Sequence, residues 1–67
     1  MSVREIIKKE LEASLSHAED NVQRAQRQLI RMPYDHDTRD ALENIYKPWR
    51  EKAQKAIDYL NEHPEIL

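Results

Sequence analysis

Sixty-seven residues leave room for one domain, and 11 basic against 13 acidic side chains give a formal net charge of −2. The absence of cysteine excludes disulfides and cysteine-ligated zinc or iron–sulfur centres, and fits a reducing, cytoplasmic setting. That slightly acidic balance argues against a chain that binds nucleic acid through its overall field.

Charged residues make up 36% of the chain, glycine and phenylalanine are absent, and the apolar residues are periodic. Periodicity separates a helical bundle from a disordered tail of the same composition. The first residues, Met1-Ser2-Val3-Arg4-Glu5, place charges ahead of any apolar run, unlike a secretory leader. No stretch has the length of a membrane span.

The first predicted helix covers about residues 2–32. Leu11, Leu15, Ala18, Val22, Ala25, Leu29 and Met32 recur at spacings of three and four, which places them on one helix face. Ser2 is positioned to cap the helix, with Glu5 reaching back to the cap residue's own N–H. Met32 precedes Pro33, whose ring pushes it away from helical angles and ends the element. Glu5–Lys9 and Asp20–Arg24 are expected ion pairs one turn apart. Lys8 and Lys9 flank Ile6, Ile7 and Leu11, but Glu5, Glu10 and Glu12 dilute the positive face that a membrane partner needs.

The predicted turn is Pro33-Tyr34-Asp35-His36-Asp37, with Asp35 and Asp37 both credible caps for a second helix over about residues 37–63. Leu42, Tyr46, Trp49, Ala53, Ala56 and Leu60 form its stripe, and the helix is expected to end ahead of Pro64. Glu65-Ile66-Leu67 reads as a short apolar-tipped tail. Pro48 falls inside the stripe, where a proline costs about 3 kcal/mol. Because the stripe keeps its phase, the reading is a kink in one helix. A short break, with Pro48 opening a new helix, is the alternative.

Two such helices joined by a short turn predict an all-α fold, a long antiparallel two-helix hairpin. Equal rise on both helices pairs Leu29 with Leu42, Ala25 with Tyr46, Val22 with Trp49, Ala18 with Ala53, Leu15 with Ala56 and Leu11 with Leu60. Ile6, Ile7, Ile30, Ile45, Ile57 and Tyr59 fall beside or away from this seam. Ile45, Ile57 and part of Trp49 are expected to face water, each forgoing roughly 1.5–3 kcal/mol of burial. A homodimer forming a four-helix bundle would cover them, with Ile6, Ile30, Ile45, Trp49 and Ile57 as interface residues. A different protein offering a helix or groove would serve equally.

His17, His36 and His63 are the candidates for metal or acid–base chemistry. None has a convergent set of ligands or a positioned nucleophile in the sequence, so no metal, cofactor or catalytic activity is expected. Asp35 and Asp37 beside His36 read as helix caps. Arg24, Arg27 and Arg31 make one ridge near the turn, accompanied by glutamines. Such a ridge can contact phosphates or base edges, although cations there also complement a helix C-terminus. The turn, the ridge and the Pro48–Trp49 pair carry no family signature. The expected function is a small non-enzymatic adaptor, inhibitor or regulator acting through protein–protein contacts. A structured-RNA or DNA binder using the arginine ridge is the alternative.

Overall fold

The computed structural model describes residues 2–65 and is helical, with no strand among them. The apolar tip expected at Ile66-Leu67 lies outside the described residues. Helix α1 spans Val3–Arg31 and α2 spans His36–Ala41; a π-helical turn over Leu42–Tyr46 then leads into α3, Lys47–Glu62. From α2 to α3 the chain forms a second helical segment, with right-handed helical angles at Ala41, Leu42, Tyr46 and Lys47. No helix is long and apolar enough to cross a membrane.

The helix limits follow the local chemistry. Ser2 Oγ accepts from the N–H of Glu5 at 3.2 Å, capping α1, but the Glu5 carboxylate does not return the bond among the described residues. The helix closes at Met32, whose N–H reaches the Gln28 carbonyl, as the proline after it requires. Between the two segments the turn is tight: the Asp35 N–H bonds the Met32 carbonyl, and α2 begins at His36.

Pro48 does not break the second segment. The Lys47 N–H reaches five residues back to the Leu42 carbonyl, so one turn is wider than an α-turn. Asn44, whose carbonyl the Pro48 ring would strike in a regular α-helix, lies within that wider turn. The extra residue accommodated here also moves the face presented downstream. Beyond it the buried positions are Ala53, Ile57 and Leu60, with Ala56 only half-buried.

The molecule measures 47 × 17 × 13 Å. About 44 Å of that length is α1 alone, and the cross-section holds two helices of roughly 10–12 Å diameter and no more. The second segment therefore lies alongside the first, and the core is a seam. Val22, Ala25 and Leu42 form a buried cluster with Leu29 and Tyr46 packed against it. Further along, Ala18, Ala53, Ile57 and Leu60 are buried.

Two sequence expectations fail here. Ile57 is 7% exposed and belongs to the core, because the π turn brings it, not Ala56, onto the buried face. The pairing of Val22 with Trp49 also fails: the Trp49 indole N–H donates to Ser14 Oγ at 2.6 Å. Arg4 likewise reaches the His63 carbonyl at 3.0 Å. Both contacts lie nearer the start of α1 than the pairing placed them, by about one helical turn for Arg4 and about two for Ser14.

Candidate interaction surface

Most of the apolar side chains that the seam left over remain in solvent, while Ile57 is buried and Ile7 half-buried. Ile45 is 57% exposed, Ile30 80%, and Ile6 is exposed near the start of α1. Trp49 is half-buried with its N–H satisfied by Ser14, so its polar atom already has a partner within the chain. Met32, read from the sequence as the last member of the apolar face, is exposed, and so is Tyr34 on the other side of Pro33, which the sequence placed only in the turn. Their signal was position: an apolar residue in a proline turn has no helix face to bury it. Around them runs an open hollow of about 670 Å³ lined by Arg31 through Asp37.

Arg24, Arg27 and Arg31 lie on the outward side of α1 and are exposed. With Gln28 they line a shallow notch of about 180 Å³. The expected Asp20–Arg24 pair does not form among the described residues, nor does Glu5–Lys9. The i,i+4 pairs that form are Glu43–Lys47 and Glu51–Lys55, both at 2.9 Å on the second segment. From Asn21 to Tyr34 the sequence holds these three arginines and no acid, so the rest of the chain carries −5 against the −2 of the whole.

Next to the notch, a groove of about 450 Å³ runs between the two segments. Asn21, Arg24 and Gln28 of α1 form one wall and Asp37 and Thr38 of α2 the other, with Ala25, Ala41 and Tyr46 also lining it. No protein-family model matches the chain, and no curated protein or solved structure matches it either. The surface is therefore read from its own residues.

Asp35 ties the two walls together. Its carboxylate accepts from the Thr38 hydroxyl at 2.6 Å, the Thr38 N–H at 3.1 Å and the Gln28 amide at 3.4 Å. These bonds, Thr38's hydroxyl foremost, lower its pKa from the ordinary 3.8. A depressed carboxylate stabilises the fold fully above its unfolded-state pKa, and that contribution is lost as pH falls through the lower folded value. Thermal melts across the acid range should show this loss for the unmodified chain. D35N, which keeps the cap shape without the charge, should melt lower at neutral pH and lose less on acidification.

The opposite end is closed by His63. Its ring lies 4.2 Å from that of Tyr59, its Nδ1 is 3.0 Å from Glu65 Oε1, and its carbonyl takes the Arg4 bond. His17 and His36 are exposed. Among the described residues no group of three or more His, Cys, Asp or Glu is placed to hold a metal ion.

Proposed function

We propose that the chain is a non-enzymatic protein–protein interaction module of the cytoplasm, an adaptor, inhibitor or regulator. In this reading it is an antiparallel helical hairpin, bent at the π turn before Pro48, that pairs with a second copy as a four-helix bundle. The observation that carries it is the apolar surface left uncovered by so thin a core. Ile30, Met32 and Tyr34 project at the turn end, Tyr34 at 87% exposure, while Ile45 stands out on the second segment. Burying each would gain roughly 1.5–3 kcal/mol, and a chain of this size has little core of its own to draw on. A closed symmetric pair is the commonest way to cover such surface.

Light scattering behind gel filtration at micromolar concentration tests the reading. The expected mass is twice the 8.0 kDa of one chain. A monomer across the whole concentration range would overturn self-association.

A second reading, a structured-RNA or DNA binder, is supported by the exposed ridge of Arg24, Arg27 and Arg31, which form no ion pair among the described residues. Against it stands Asp37, across the same groove from Arg24, where it would repel a phosphate. Filter binding over a salt series separates the two. Interaction through protein surfaces predicts no retention even at low salt, whereas binding that falls steeply with salt would favour nucleic acid.

A further inference from the structure

The groove at the turn end has walls of opposite charge. Arg24 stands on the α1 wall and Asp37 on the α2 wall, and neither takes part in an ion pair among the described residues. The α1 wall continues outward in the same sign; beyond the α2 wall lies a hollow that Arg39 lines together with the acids, its guanidinium donating to the Pro33 carbonyl. Arg27 and Arg31 extend the basic side along α1. Asp40 extends the acidic side one turn beyond Asp37, in that hollow. Asp40 accepts from the Asn44 amide but has no cationic partner among the described residues. Glu43, further along, is already neutralised by Lys47.

A surface carrying both signs side by side is complementary to itself. In a two-fold pair, if residue i of one copy meets residue j of the other, then j meets i as well. Turning one copy by half a revolution over this groove brings each basic wall against the other copy's acidic wall. Ala25 and Ala41 contribute small side chains to the groove lining, beside the larger Tyr46. Ile45, 57% exposed, directly precedes Tyr46 of the groove lining, which adds an exposed apolar side chain nearby.

We propose that this groove docks the same groove of a second copy, with Arg24 and Arg27 of each chain paired to Asp37 and Asp40 of the other. The proposal rests on the self-association reading and adds to it the face, the symmetry and the pairing. A free polyanion fits the groove less well, because it meets the acidic wall as soon as it reaches the basic one. Two chains of net charge −2 repel at long range, so the attraction has to be local and set by register, which is what crossed pairs provide.

Charge exchange between copies tests it. R24E/R27E makes both walls acidic, and D37R/D40R makes both basic. All four side chains are exposed, and far-UV circular dichroism reports whether each variant stays helical. Alone, each variant should dimerise at least about tenfold more weakly than the unmodified chain, since both crossed contacts become like-charged. An equimolar mixture should form a heterodimer near the original affinity, because both contacts are then restored. The dimer of the unmodified chain should also weaken several-fold from low to high salt.

If the unmodified chain is dimeric but the variants dimerise equally well, or the mixture fails to recover, the groove is not the interface. In either case the self-association reading survives and this proposal does not. A dimer indifferent to salt would overturn the crossed pairing in the same way. A chain that stays monomeric at every salt, whether or not it binds RNA, would overturn the proposal and the self-association reading together.

Discussion

Ile57→Glu is expected to unfold the chain, whereas Ile45→Glu is expected to leave it helical and separate its copies. Ile57 is 7% exposed and Ile45 57%, although both lie on the second helical segment and both look like leftovers of the apolar stripe. Replacing Ile57 removes about 1.5–3 kcal/mol of apolar burial. It also places a carboxylate with no partner in the seam, a cost of about 3–5 kcal/mol. A 67-residue domain is stabilised by only about 3–10 kcal/mol in total, so the two losses consume most or all of it. Far-UV circular dichroism should show loss of helix at room temperature, or a melt brought down to it. Ile45→Glu removes nothing from the core. Two copies of the change in a symmetric pair should raise the dimer dissociation constant roughly hundredfold, with the helical signal intact. A folded, dimeric Ile57→Glu would show that the π turn does not rotate the buried face as described.

This contrast marks where the sequence was legible and where it was not. Helix limits were readable because each is written in one or two residues: Ser2 at the start, Met32 before Pro33, Asp35 at the restart and His63 before Pro64. The phase of the last helix was not. Ala53-Ala56-Leu60 and Ala53-Ile57-Leu60 are both acceptable helical rows, and only the wider turn at Leu42–Tyr46 decides between them. Pro48 announced a local fault, but a fault that breaks, bends or widens a helix looks the same in sequence. The register escaped for a related reason. The turn falls earlier in the chain than the residues assigned to it, which shifts partners toward the start of α1. The long indole reaches further still, so Trp49 bonds Ser14, eight residues before Val22.

The surface was legible only in its parts. Arg24, Arg27 and Arg31 were recognisable as a ridge from their spacing. Asp35 and Asp37 were recognisable as caps, and Asp35 is one. That Asp37 also faces the groove beside Arg24 depends on register, which no local pattern encodes. A one-turn shift would put different residues across from the arginines, and a groove with two signs of charge would read as two unrelated solvated faces.

Ala18→Leu should destabilise the chain by about 1–3 kcal/mol, and Ala13→Leu by less than about 0.5 kcal/mol. Leucine and alanine are both good helix formers, so the two substitutions differ mainly in what surrounds the new side chain. Ala18 is 0% exposed, while Ala13 faces solvent little more than one helical turn away. A branched side chain at the fully buried Ala18 has to be accommodated inside a close-packed seam. It must either adopt a strained rotamer or force the two helical segments apart. Separation would be felt well beyond the site, because one seam carries the burial of Val22, Ala25, Ala53, Ile57 and Leu60. For a domain of this length each kcal/mol lowers the melting temperature by about 4–8 °C, so Ala18→Leu should melt roughly 5–20 °C below the unmodified chain. Equal melting of the two variants would mean that the close approach at Ala18 does not hold the segments together, and that the seam is looser than its burial shows.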